Sequence, residues 1–261
     1  MERIEFAFFL GLLLLLILRL EMLNPIDPGQ SKREVWLDWK LAVTQYAIAY
    51  LGLSLVAVIM GDIVAALGGS LFHLGVETWW MYLGSLAIYI LCGDLYRYWV
   101  HRLYHMVPAL WAMHSFHHSA EAITFVTGAR HHWLGRMTDA FFPLFALLVQ
   151  APPSIVLVGT IIFFFPDTCA HLNCRFSLGR FVMWINSPQY HRIHHSTRPE
   201  HFDKNFASLL PLWDIVFGTA WRPGEDEFPP TGLADGAKPR NIWEGIVWPF
   251  RNAEPSRHCH D

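Results

Sequence analysis

The chain predicts an all-α integral membrane protein with about four transmembrane or re-entrant helices and a helical cap on one side. Three observations carry this. Hydrophobic residues make up 53% of the 261 residues and charged ones 16%, against roughly 45–50% and 25% in ordinary soluble domains. The apolar residues gather in runs, and one run of 20 residues, Leu41 to Met60, carries no charge; that length crosses a hydrocarbon core. Three clusters of histidine flank these runs, and within each the histidines lie three or four residues apart, on one face of a helix. Aromatics are in excess, with 12 Trp and 19 Phe, as suits a chain whose indoles sit at membrane interfaces. A net charge of −3 leaves no basic surface for nucleic acid.

The first run, Phe6 to Leu18, lacks a following small-residue cleavage site and reads as a retained span extending to Leu23. The second is Leu41 to Met60, ended by Gly61-Asp62. A third, Trp79 to Cys92, is short alone and is expected to continue as one helix through Asp94 and Arg97 towards His101. A fourth region, Ala140 to Phe165, is interrupted by Gln150-Ala-Pro-Pro153; a proline pair stops a helix, so a hairpin is expected there. Arg19, Lys32, Arg33 and Lys40 lie before the second span, whereas Gly61 to Thr78 has no Lys or Arg. The positive-inside bias puts the former segment in the cytoplasm. All three histidine clusters then share the cytoplasmic side, as shared metals require. Arg222 to Arg240, rich in Pro, Gly and acidic residues, reads as irregular. The domain reading is spans over 1–92, a histidine-bearing unit over 93–220 that includes the apolar hairpin 140–165, and an irregular tail over 221–261.

The four cysteines, Cys92, Cys169, Cys174 and Cys259, form no C-x-x-C pair and imply no disulfide framework. Cys92 is expected as a buried free thiol.

The clusters are His101-Arg-Leu-Tyr-His105, His114-Ser-Phe-His117-His118 and His191-Arg-Ile-His194-His195. Neutral imidazole is the commonest metal ligand, and eight imidazoles exceed what one tetrahedral zinc needs. They suit two metals with positions left open. All-imidazole sites take zinc, copper, iron or nickel, and neither an H-E-x-x-H helix nor the E-x-x-H pairs of di-iron carboxylate bundles accompany them. The expected fold is thus a cytoplasmic helical cap holding a histidine-rich di-metal site. Ser187 as N-cap and Pro188 at the first helical position place His191, His194 and His195 on the first two turns of a helix. Asp94, Glu121, Asp167 and Asp214 are candidate carboxylates to orient the imidazoles. His73, His201, His258 and His260 have no such surroundings.

From about Gly93 to Ala220 the chain resembles the membrane fatty acid hydroxylase/sterol desaturase superfamily. The resemblance rests on Asp94-Leu-Tyr-Arg-Tyr-Trp-Val-His101 running into His105, on the two H-x-x-H-H boxes, and on Asp203-Lys-Asn-Phe and Leu212-Trp-Asp-Ile-Val-Phe-Gly-Thr219. It implies two further ligands. His132 lies in Arg130-His131-His132, with Trp133 and Gly135 where the family often has Pro and Glu; His171 lies in His171-Leu-Asn173, which also brings Asn173 to the site. His131 is read as a neighbour. The implied ligand set is His101, His105, His114, His117, His118, His132, His171, His191, His194 and His195. The implied activity is O2-dependent hydroxylation or desaturation of a lipid, such as an acyl chain or sterol, by two iron ions. No haem or flavin domain is evident, so a separate electron-donor protein is expected. A metal transporter would favour ionisable residues within spans and an inverted repeat, and a zinc-dependent hydrolase would need only three protein ligands.

Overall fold

The computed structural model describes residues 15–70, 72–138 and 149–252. Among these the chain is helical, with no strand and a single isolated bridge between Ser196 and Thr231. Helical turns over 15–23 (α1) are the described part of the first expected span. Helix α2, Lys32–Ala66, starts at a capping box in which Ser31 and Glu34 satisfy each other's backbone N–H groups. It does not end at Gly61-Asp62 as expected. It runs to Ala66, and Gly68 and Gly69, at φ +89° and +97°, turn the chain in a region that glycine enters without strain.

Helix α3, Trp79–Met106, is continuous through Asp94 and Arg97 to the first histidine cluster. Thr78 caps it by accepting from the Met81 N–H. Val107 is extended, and Pro108 opens α4, Pro108–His118, because the residue before proline avoids the helical region. Short helices α5, Phe125–Gly128, and α6, Trp133–Thr138, follow. The hairpin expected over 140–165 is described only in its second arm: residues 139–148 lie outside the described residues, and α7 runs Pro153–Ala170. Helix α8 is Pro188–His194, with Ser187 accepting from Tyr190 N–H as its start signal implied.

Three apolar clusters organise the molecule. Leu74, Tyr89, Ile155, Phe163 and Leu209 join α3 to α7. The two helices close tightly because Gly159 leaves room; a Cβ there would stand 2.5 Å from the Tyr89 ring. Leu41, Phe116 and Trp248 tie α2 to α4, and Val182, Tyr190 and Ala207 support α8. A buried charge sits beside the second cluster: Arg130 donates to Asp38, to Ser119 Oγ and to the Phe116 carbonyl. An unpaired buried guanidinium would be costly, so α2 and α4 are held in register by this contact.

The outer faces are apolar. On α2, Tyr50, Leu51, Leu55 and Val58 are exposed; on α3, Trp79, Leu83, Ile88 and Leu91; on α7, Leu157, Ile161 and Phe164. Cys92 of α3 also lies exposed, not buried as expected. By length and composition, α7 is the one helix among the described residues able to cross a membrane; the side chains of residues 53, 54 and 57 within α2 lie outside the described residues.

The boundary drawn after residue 220 does not release a tail. Helices α9, Leu212–Val216, α10, Ile242–Ile246, and α11, Trp248–Arg251, close the described chain. The segment before α10 lies along α8: Arg192 donates to the Pro229 carbonyl, Thr197 N–H to Pro230, and Gly232 N–H to His195. Trp248 then donates to Ser115 Oγ in the middle of the second cluster's motif.

Candidate metal centre

Helices α3, α4 and α8 meet at their histidine faces, joined by the end of α7. The histidines sort into two groups whose ligand atoms all lie within 4.8 Å of one another: His101, His105, His114, His118 and His194 (cluster A), and His117, His171, His191 and His195 (cluster B). The two boxes divide in opposite senses. His114 and His118, one turn apart, enter A while His117 enters B; His191 and His195 enter B while His194 enters A. The clusters abut, with the His118 and His195 rings stacked at 4.2 Å.

Burial keeps the imidazoles neutral. Desolvation, reinforced by neighbouring imidazoles, holds His114, His117, His118, His191, His194 and His195 well below the ordinary histidine range. It lowers His101 to about 4. Neutral rings are the metal-ligating form.

Backbone acceptors then set the tautomers. His101 Nδ1–H donates to the Phe206 carbonyl at 2.9 Å, His194 Nδ1–H to Lys204 at 2.9 Å, and His171 Nδ1–H to Asp167 at 2.7 Å. Each Nε2 is therefore a bare lone pair. These nitrogens nonetheless crowd together. His114 Nε2 stands 3.1 Å from His101 Nε2 and 3.2 Å from His118 Nε2. His171 Nε2 stands 3.0 Å from His191 Nε2 and 3.3 Å from His117 Nε2, and His191 Nε2 is 3.1 Å from His195 Nε2. Too few protons are present to bridge all these contacts, and His194 Nε2 is buried with no hydrogen-bond partner. A cation would turn the repulsion into attraction. Spacings near 3 Å are also about the edge of a coordination shell with metal–nitrogen distances of roughly 2.0–2.1 Å. The residues present thus fit two metal ions.

His132 does not join them. Its Nε2 contacts the Ile246 carbonyl at 3.0 Å and its Nδ1 accepts from Leu134 N–H, so it braces α6 against α10. Its neighbour His131 stacks on His117 at 4.2 Å and 14° and lines the cavity below. Neither ring belongs to the two groups; the short α5–α6 turn faces His131 towards His117 and His132 towards α10.

The expected carboxylates act at one remove or elsewhere. Asp94 accepts from Leu209 and Leu210 N–H, and Asp214 from Phe206 and Ala207 N–H, Thr219 Oγ1 and Tyr190 OH. Both pin the irregular segment 206–210, whose Phe206 carbonyl holds His101. Glu121 is exposed and pairs with Lys238. Asp167 contributes its backbone carbonyl. Asn173 accepts from Ile26 and Asp27 N–H and donates to the Asp27 carbonyl, fastening the N-terminal segment under His171. Asp203, whose carboxylate lies 3.4 Å from His105 Nδ1, was not anticipated. Its positive φ of 56°, like the 59° of Asn205, belongs to a turn that Asp and Asn tolerate, and Asp203-Lys-Asn-Phe was the available signal. His201 is fully buried between Ser196 Oγ and Glu227, a packing role.

A cavity of about 450 Å3 opens onto both clusters, touching His101 and His114 of A and His117, His171 and His191 of B. Val100, Met113, Phe125, Phe163 and Phe164 contribute to its apolar wall; Tyr96, Arg97, Tyr104, Arg136 and Asp167 are among its polar groups. The size and the mixture suit a small-molecule site. Gly128 makes room for His171: a Cβ would stand 2.6 Å from that ring.

A family model described as fatty acid hydroxylase matches residues 86–219. Alkylglycerol monooxygenase of Danio rerio is 34% identical over 66% of this chain and 37% of its own length. The human alkylglycerol monooxygenase is 33% identical over 57% of the chain and 32% of its own. Ornithine lipid hydroxylase OlsE of Rhizobium tropici is 26% identical over 68% of the chain and 54% of its own. The chain therefore spans about half or less of the length of these relatives. No solved structure matches it. With the histidine boxes inside the matched residues, the chain belongs to the fatty acid hydroxylase family, part of the membrane fatty acid hydroxylase/sterol desaturase superfamily.

Proposed function

We propose that the protein is an O2-dependent di-iron monooxygenase that hydroxylates a membrane lipid. The observation that carries this is the opening of one apolar-walled cavity onto two abutting all-imidazole clusters. The relatives' names supply the substrate class: alkylglycerol and ornithine lipid both pair an apolar chain with a polar head. Cluster A would hold one iron and cluster B the other. Bound iron supplies what side chains lack, reductive activation of O2, with the balance RH + O2 + two electrons + two protons giving ROH + H2O. The electrons come from a separate donor protein.

The chain's own residues do the rest. Val100, Phe125, Phe163 and Phe164 receive an apolar chain and keep water from the clusters. Phe163 and Phe164 belong to α7, whose outer face is apolar, so a lipid enters sideways from the bilayer. The carbonyls of Phe206, Lys204 and Asp167 hold the protons at Nδ1 of His101, His194 and His171, aiming each Nε2 inward. The exposed apolar faces of α2, α3 and α7 and the Lys/Arg bias around α2 support a multi-pass topology with the boxes on the cytoplasmic side.

The test is the full chain reconstituted in lipid with iron, supplied with a reductant and 18O2. The expected result is two irons per chain and a lipid product heavier by one 18O atom. Activity with one metal, or with zinc alone, overturns the di-iron reading; a product lacking 18O overturns the oxygenase. Reporter fusions in 61–78 and at the C-terminus check the topology, and fusions reporting the same side overturn it.

A further inference from the structure

We propose that the open groove between the start of α2 and α10 binds the anionic headgroup of a membrane phospholipid. The groove is about 890 Å3, and its lining includes three cations, Arg33, Lys40 and Arg240, two indoles, Trp36 and Trp243, and no carboxylate. Arg33, Trp36 and Lys40 fall on one helix face, at i, i+3 and i+7. Trp36 is 66% exposed and Trp243 63%.

The three cations make no ion pair among the described residues, because the nearby carboxylates are already engaged. Glu34 serves Ser31 and Lys238, Asp38 serves Arg130 and Gln30, and Glu244 accepts from Asn241 Nδ2 and the Arg240 backbone N–H. Even with the Glu244 carboxylate beside Arg240 and Asn241, three cations around the cleft leave a net positive charge complementary to a phosphate.

Depth favours a lipid over a soluble anion or an acidic protein, and here the inference rests on α2 being a span. Lys40 is the last charge before the 20 uncharged residues Leu41 to Met60, so the groove stands where headgroups meet hydrocarbon. Lys and Arg at that level are drawn to anionic lipid, and Trp is enriched there. Free phosphate would satisfy the cations and leave both indoles unused. Helix α10 is fixed at this depth by Gly245, where a Cβ would stand 2.5 Å from Leu41 Cδ2. The Ile246 carbonyl at its end meets His132 and Trp133, and His132 lines the catalytic cavity.

The experiment uses the full chain in neutral detergent. It is titrated with short-chain phosphatidylglycerol, phosphatidylcholine or inorganic phosphate, and bound lipid is counted by native mass spectrometry. One Lys or Arg near an anionic membrane surface is worth about fivefold, so the wild type should prefer phosphatidylglycerol by on the order of 100-fold. The triple variant Arg33→Gln/Lys40→Gln/Arg240→Gln should lose the preference with unchanged elution and thermal midpoint, and Arg33→Lys/Arg240→Lys should keep it. Lipid counting is independent of turnover, so it stands apart from the oxygenase test. Equal binding of the two lipids by wild type, an undiminished preference in the triple variant, or displacement of the lipid by equimolar phosphate overturns the proposal. Salt-sensitive binding of an acidic redox protein, lost in the variant while lipid binding is not, assigns the groove to protein docking instead and also overturns it.

Discussion

Clusters A and B both draw on the two H-x-x-H-H boxes, A adding His101 and His105 and B adding His171, and are held in different ways. In A, His101 and His194 are anchored through Nδ1 by the carbonyls of Phe206 and Lys204, with Asp203 beside His105. All three anchors come from one short segment, 203–206, itself pinned by Asp214. In B only His171 has a backbone acceptor, and Nδ1 of His117, His191 and His195 is buried with no hydrogen-bond partner. B is positioned instead by packing and by clamps behind it: Gly128 against His171, Asn173 on the backbone of Ile26 and Asp27, and the Asp27–Arg192 pair under α8. A metal site whose rings are tethered by hydrogen bonds resists disturbance at a distance; one held by packing transmits it. B, which gives three of its four histidines to the cavity, is thus the softer and more open centre.

The largest effect should come from cutting A itself. His194→Ala removes a ring anchored by Lys204 and should reduce product formation at least 100-fold, since even loss of an outer hydrogen bond typically costs about 10–100-fold. His260→Ala, outside the described residues, should leave turnover near normal at matched protein level. Wild-type turnover in His194→Ala would make the second box structural.

Gly128→Ala should separate the clusters. Its Cβ would collide with His171 at 2.6 Å, and such overpacking costs about 1–3 kcal/mol. Iron should fall from two per chain towards one, with A retained. Equal loss from both clusters, seen by Mössbauer spectroscopy, would mean that they do not load independently.

Asp27→Ala tests the clamp behind B. Arg192 is 3% exposed and Asp27 25%. Breaking a fully buried pair costs about 3–5 kcal/mol; partial exposure of Asp27 reduces this to about 2 kcal/mol. The thermal midpoint should drop by about 4–8 °C, and B should release iron to a chelator faster than A. Unchanged release kinetics would show that the N-terminal segment does not position α8.

Glu121→Gln should do least. Its partner Lys238 and Glu121 itself are about half exposed, and such pairs contribute little. Thermal midpoint and iron content should both match wild type; a lost iron would return Glu121 to the metal site.

His171 came only with the family resemblance, but local signals in the chain were enough for the helical class, the course of α3 through Asp94 to His105, the N-cap at Ser187, and the other eight of the nine histidines that gather. Each depends on spacing along one element, where side-chain direction follows from helical periodicity or a capping residue. Residues settled by contacts between distant segments were not legible. Whether His131 or His132 faces inward depends on Ile246, more than 110 residues away. The roles of Asp94 and Asp214 depend on a backbone turn they hold, and the anchors of His101, His194 and His171 are carbonyls, which every residue has and no sequence marks. The segment 221–252, polar and without period, is laid along α8 by hydrogen bonds from Arg192 and Thr197 to successive carbonyls. The sequence by itself determined which side chains could meet a metal; only the tertiary structure decided how they divide into two centres, because that division rests on where α4 and α8 cross.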